Sequence, residues 1–253
     1  MREALRLVPV PPPLYISTVA DLPAASGLGS SSSFCVGLLN ALHVMRGERV
    51  CPTQLIEESV HIEVDILKNP IGKQDQAAAA IGGLNLIRFL ADERITLEPV
   101  NIAHDNLRIL SSYMQVFWTG ITRSSAEILS EQQGNIGSRK QYLDQMREQA
   151  VLLSDIVRLQ QFDIHKFASV LDHGWQLKRH MASSISSDQI DQWYDLAKAN
   201  GALGGKICGA GGGGFLLFLT PPEKHQAVIQ ALSLLMLVPV GFEFFGSHVV
   251  HQE

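Results

Sequence analysis

Three cysteines stand in 253 residues, and their scarcity is informative. Cys35, Cys51 and Cys208 are too widely spaced for a CxxC metal pair and too few for a disulfide framework. Such usage suits a reducing compartment, so a cytoplasmic setting is expected. The nine histidines include no HExxH or comparable spacing and read as ordinary surface or core residues. Charge of one sign is also lacking. The net charge is −5 and the pI about 6.0, which argues against a nucleic-acid-binding surface. An anionic substrate would have to be held by local basic residues and helix ends. Long apolar runs are missing too. The most apolar late stretch, Ala231 to Val240, contains Pro239 and falls well short of the roughly 20 residues that span a bilayer. Arg2 and Arg6 are followed by no long apolar run, so neither a secretory leader nor a membrane partner is expected. No internal repeat is evident.

What the chain does contain is a core's worth of apolar residues, 46% of the total, enough for one large domain or two small ones. Its most telling segment runs Pro23-Ala24-Ala25-Ser26-Gly27-Leu28-Gly29-Ser30-Ser31-Ser32-Ser33 straight into an amphipathic pattern at Cys35, Leu38, Leu39 and Leu42, with Gly47 as the stop. A tight small-residue turn feeding a helix start presents free N–H groups and a positive dipole end, a site for phosphate. The lysine of a Walker A loop is missing, so this is not a P-loop. A flexible serine-rich linker is the bland alternative. A second glycine-rich stretch, Gly204 to Phe215, carries four consecutive glycines at 211–214. A plain turn needs one or two; this many suits backbone approaching a ligand or another backbone closely.

The remaining pattern predicts strands at Leu14–Val19, Leu84–Leu90, Ile95–Val100 and Tyr113–Trp118, with a helix from Pro52 to about Leu67 and a short one after Gly72 that ends at Gly82-Gly83. Helices follow at Ser124–Gln133, Lys140–Gln161, Ile164–Met181 and Asp188–Asn200. Strands are expected around Lys206–Cys208 and at Phe215–Leu219, a helix at about Pro222–Met236, and closing strands from Phe242 to Val250. Mixed runs rather than strict alternation indicate an α+β fold, divided near residue 120 into units 1–120 and 121–253.

Three charged positions are candidates for chemistry. Glu63 shares a helical stripe with Ile56, Val60 and Leu67, and a carboxylate there needs a metal ion, a Lys or Arg partner, or a surface edge. Asp75 precedes an alanine run, either as an ordinary N-cap or as a general base for a substrate hydroxyl. Arg123, in Thr119-Gly120-Ile121-Thr122-Arg123, is either a phosphate ligand or a solvated surface residue.

Together the pieces resemble the GHMP small-molecule kinases, from about residue 14 to the end. Pro23–Ser31 resembles the family's phosphate-binding second motif and Gly209–Gly214 its third. Gly72-Lys73-Gln74-Asp75-Gln76, Gly82-Gly83-Leu84-Asn85, Thr119–Arg123, Gly201–Lys206 and Phe242–Ser247 resemble the family branch that acts on D-glycero-D-manno-heptose 7-phosphate. The resemblance implies an incomplete N-terminal ATP-binding domain and a ferredoxin-like C-terminal domain with added helices. It implies ATP held by Pro23, Ser26, Gly27, Leu28, Gly29, Ser30, Ser31 and Ser32, with Gly211, Gly212 and Gly213 near that loop. Mg²⁺ would lie on Ser30 and Glu63. Asp75 would be the catalytic residue that activates or orients the acceptor hydroxyl, with Lys73, Asp75 and Arg123 toward the sugar phosphate. The implied reaction moves the γ-phosphoryl group of ATP to the anomeric hydroxyl of the heptose phosphate. The alternatives are another GHMP kinase (hexose, fucose, mevalonate or homoserine) and a catalytically dead relative. The resemblance also implies a first motif, with a basic residue near the transferred phosphate, ahead of the part seen here. From its lack, the 253 residues alone are expected to be poorly soluble or homo-oligomeric and nearly inactive.

Overall fold

The computed structural model describes residues 1–22 and 26–251. The expected nucleotide contact at Pro23 lies outside them. Arg2–Leu7 forms α1, which the sequence pattern does not announce; Glu3 bonds Arg2 and Arg6 along it. The proline-rich stretch after it, through Leu14–Val19, is not a strand. Prolines withdraw donors from the start of the segment, and apolar alternation forms a strand only where a partner supplies hydrogen bonds.

Ser30–Met45 is α2, Pro52–Val60 is α3, and Gln74–Ile81 is α4. They pack around Leu39, Leu42, Ile56 and the small residues Ala77 and Ala80, which let α4 lie close to its neighbours. α3 continues as a π-helical turn over His61–Ile66, closed by the Leu67 N–H on the Ile62 carbonyl at 2.9 Å. The wider turn shifts the register of the expected stripe. Ile56, Val60 and Glu63 are buried, but Leu67 and Ile66 swing out to solvent.

Strands β1 (Asn85–Phe89) and β2 (Ile95–Pro99) form a two-stranded antiparallel hairpin. Helix α5 (His104–Tyr113) leads into β3 (Met114–Trp118). A single helix, α6, spans Ser125–Arg158 where two were expected. Gly134 and Gly137 lie within it with open space where a side chain would go, and neither adopts a positive φ, so neither acts as a stop. Then come α7 (Ile164–Arg179), a 3₁₀ turn at Ser183–Ile185, α8 (Asp188–Ala199), β4 (Gly204–Ile207) and β5 (Phe215–Leu219). α9 covers only His225–Ala231, and Met236–Val238 is a strand, β6, instead of a helix end. No strand forms from Phe242 to Val250; that segment docks on the N-terminal helices as irregular chain.

The second sheet is antiparallel in the order β4-β5-β3-β6. Read along the chain from β3, the first strand lies between the third and the fourth, which is the ferredoxin-like arrangement with helices inserted before β4. Its core holds Phe117, Trp175, Ile185, Tyr194 and Phe218.

Candidate active site

The glycine-serine loop ends in two left-handed residues, Gly27 (φ 83°) and Gly29 (φ 69°), before Ser30 opens α2. Only glycine takes that backbone without strain. The second glycine loop lies directly against the first. A Cβ on Gly209 would stand 2.2 Å from the Gly27 carbonyl oxygen, and one on Gly214 would stand 2.3 Å from that of Ser26. The glycines thus serve a backbone-to-backbone seam. Gly214 also ties back to the segment after β3. Its carbonyl accepts from the Thr119 N–H (2.9 Å) and hydroxyl (2.7 Å), and its N–H donates to Ile121 (2.8 Å).

The other loop glycines face elsewhere. Gly211 abuts Ile185, Gly212 abuts Ser184, Ile128 and the stem of Arg123, and Gly213 abuts Ile121. Gly209 and Gly214, not Gly211–Gly213, touch the Gly27 loop. The 3₁₀ turn behind them is pinned by Glu131 of α6, whose carboxylate accepts from the Ser183 N–H and hydroxyl, both at 2.8 Å, and from Ser184. These bonds hold the Glu131 carboxyl down at about 2.

Glu63 is 2% exposed and sits under the start of α2. Ser31 donates to one carboxylate oxygen at 2.6 Å; Ser32 (2.8 Å) and Gln76 of α4 (2.7 Å) donate to the other. Of the readings open in the sequence, the Lys or Arg partner and the surface edge both fail. The carboxylate is buried among neutral donors, and among the described residues no cation side chain pairs with it. Ser31, rather than Ser30, bonds to Glu63. Ser30 is half-buried at the first position of the helix. An all-oxygen set of one carboxylate and neighbouring hydroxyls fits Mg²⁺, which binds through one or two carboxylates and fills its shell with water and phosphate.

Asp75 occupies the first turn of α4, but the N-cap of that helix is Lys73 and no side chain caps it, so the cap reading of Asp75 fails. The Asp75 side chain packs on Gly29; a Cβ there would meet Asp75 Cβ and Cγ at 3.1 Å. Burial pushes the Asp75 carboxyl up; a bond from Gln74 opposes this, Glu63 adds to it, and Lys178 opposes it. Lys73 itself turns to Glu93 at 3.2 Å. Arg123 is exposed beside Gly212. The cation whose charge acts on Asp75 through space is one the sequence does not announce, Lys178 near the end of α7. Its ammonium donates to the Gly209 carbonyl. Burial, with Lys206 of β4 beside it, pushes Lys178 down to about 7.

Two further matched strings meet in space. Gly82 and Gly246 are in backbone contact, and the Gly83 N–H donates to the Glu243 carbonyl at 2.6 Å.

Comparison with known proteins follows this geometry. The GHMP kinase N-terminal domain matches residues 1–83, and the GHMP kinase C-terminal domain matches residues 153–236. A D-glycero-alpha-D-manno-heptose 7-phosphate kinase from Campylobacter jejuni is 30% identical over 86% of this chain and 64% of its own length. A galactokinase from Pyrococcus furiosus is 26% identical over 84% of this chain and 66% of its own length. Among solved structures, a D-glycero-D-manno-heptose 1-phosphate kinase from Bacteroides thetaiotaomicron superposes with a TM-score of 0.68 at 26% identity, covering 90% of this chain and 63% of that one. The chain therefore spans somewhat under two thirds of the length of these relatives.

Proposed function

The chain belongs to the GHMP kinase family, and from that premise we propose that it is an ATP-dependent sugar kinase acting on the anomeric hydroxyl of D-glycero-D-manno-heptose 7-phosphate in the cytoplasm. The observation that carries the reading is the packing of Asp75 onto Gly29, where the phosphate-type loop enters α2. One residue thereby stands beside both the loop that would hold the phosphates and the place where an acceptor hydroxyl would lie. Phosphoryl transfer asks a protein mainly for positioning and charge stabilisation, and each element supports one part of that. The N–H groups at the start of α2 and the left-handed turn at Gly27–Gly29 receive the phosphates. Mg²⁺, when bound, would neutralise charge on the transferred group, and Glu63 with the serines at the head of α2 would hold it. Asp75, its carboxyl raised by burial, takes the acceptor proton. The two heptose kinases among the relatives support the acceptor class.

The test is nucleotide binding by calorimetry and ADP release with a panel of heptose 7-phosphate, galactose, fucose, mevalonate and homoserine. ADP release that depends on heptose 7-phosphate is expected. Asp75→Asn should leave nucleotide affinity near the parent value and cut turnover by about 100-fold or more. Mevalonate- or homoserine-dependent release, or full turnover by Asp75→Asn, would overturn the assignment.

A further inference from the structure

Between α6 and α7, behind the second glycine loop, lies a cavity of about 130 Å³ walled by Met146, Gln149, Leu153, Trp175, Lys178 and Lys206. Its polar groups are unusual. Lys178 and Lys206 bring two amines to one small space, and among the described residues the Lys206 side chain has no hydrogen bond or ion pair. Trp175 is 1% exposed, yet among the described residues its indole N–H has no acceptor. The Gln149 amide oxygen is likewise buried without a partner. Buried indole N–H groups almost always find a partner, and two neighbouring, half-buried amines favour an anion between them. Donors are in excess here and the missing component is an anionic oxygen acceptor.

We infer that Lys178, Lys206 and the Trp175 N–H form a subsite for a phosphate monoester, and that its source is the phosphate the acceptor already carries rather than one supplied by ATP. Size and position favour the acceptor. The cavity is well below the roughly 300–1,000 Å³ of pockets that enclose whole small molecules, so it takes a terminal group. Lys178, on its wall, bonds the Gly209 carbonyl, and Gly209 lies against Gly27, two residues before the Gly29 on which Asp75 packs. The nucleotide already has two backbone loops and a helix start. An acceptor whose hydroxyl lies at Asp75 would extend its charged end toward the two lysines, with the Gln149 oxygen free to accept from a protonated phosphate or a sugar hydroxyl. The identity of the ligand rests on the kinase reading above; the existence of the phosphate subsite does not.

The two are separated by using inorganic phosphate first. Its binding to the full chain is measured by calorimetry against chloride at equal ionic strength, for the parent, Lys206→Met and Lys206→Arg, and then in competition with ADP and with heptose 7-phosphate. Lys206 makes no bond whose loss would unfold the chain; Lys178→Met, which gives up the Gly209 bond, serves as the second variant. Lys206→Met should weaken phosphate binding about tenfold or more, and Lys206→Arg should restore most of it. Heptose 7-phosphate should displace phosphate, and ADP should not. Phosphate that does not bind the parent, that binds Lys206→Met equally well, or that is displaced by ADP overturns the subsite. If phosphate binding depends on Lys206 but neither compound displaces it, the subsite stands and the heptose phosphate assignment fails.

Discussion

Gly29 is the residue on which the two halves of the chemistry touch. Its left-handed φ of 69° already disfavours a side chain, and an added Cβ would meet Asp75 at 3.1 Å. Gly29→Ala is therefore expected to cost about 1–2 kcal/mol of stability and to lower nucleotide affinity by distorting the loop that opens α2. Gly37, in the middle of α2 with nothing within 4 Å, is the control. Gly37→Ala should gain up to about 1 kcal/mol. Urea melts and ATP-analogue titration of both variants check this; equal stabilities would show that the loop is not under the constraint described. At this scale the glycine loops were legible because few other roles demand so many glycines, whereas Glu63 and Asp75 stayed open to ordinary roles until their burial and contacts were known. Lys178 was not. A lysine close to the end of an amphipathic helix reads as a surface residue beside Arg179, and only the fold sets it against Gly209, more than thirty residues further on in sequence. The two serines that bond Glu63, Ser31 and Ser32, also escaped the pattern, since neighbouring hydroxyls in a run of four are equivalent until the helix start fixes their directions.

Helix α6 supports the second glycine loop from behind. Glu131 on its first turns holds Ser183 and Ser184, and the Ile185 carbonyl of that turn accepts the Gly212 N–H at 2.7 Å. A carboxyl held at about 2 when folded and near 4.3 when unfolded stabilises the native state above the unfolded value, and that contribution disappears as pH falls toward 2. Glu131→Gln should therefore melt below the parent at pH 7 and match it near pH 2. A gap that does not change across that range would remove Glu131 from this role. The elements themselves were mostly readable. α2, α3, α4, α7, α8, β1, β2, β3 and β5 follow the expected periodicities to within a few residues. The errors share a cause. Leu14–Val19 and Phe242–Val250 have strand-like alternation, but a strand is completed by its neighbours and neither segment has one. The π-helical turn leaves no trace in a periodicity built on 3.6 residues.

Across the whole molecule, stability should be uneven. β3 and β5 are buried at the centre of the ferredoxin-like sheet, whereas β1 and β2 form a lone hairpin with half its residues exposed. Two-stranded hairpins are marginal without further packing. Hydrogen exchange should protect the amides of Val116 and Leu217 most strongly and those of Arg88 and Phe89 least, by several orders of magnitude. Uniform protection would show that the hairpin is as firmly held as the central sheet. The strand order was foreseeable only through likeness to a family; composition and periodicity supply strands but not which ones are neighbours.

The seam between Gly82-Gly83 and Glu243–Gly246, extended by the bond from Asn40 to Ser247, joins residues as much as 207 positions apart. On a ribosome adding about 5–20 residues per second, the clasp for α2 and α4 arrives roughly 10–40 s after Asn40 itself has been made. For that interval α2 and α4 exist as a nascent, open-sided unit. A synonymous codon change that slows translation between positions 85 and 242 would lengthen their exposure to chaperones and proteases without altering a single atom of the finished protein.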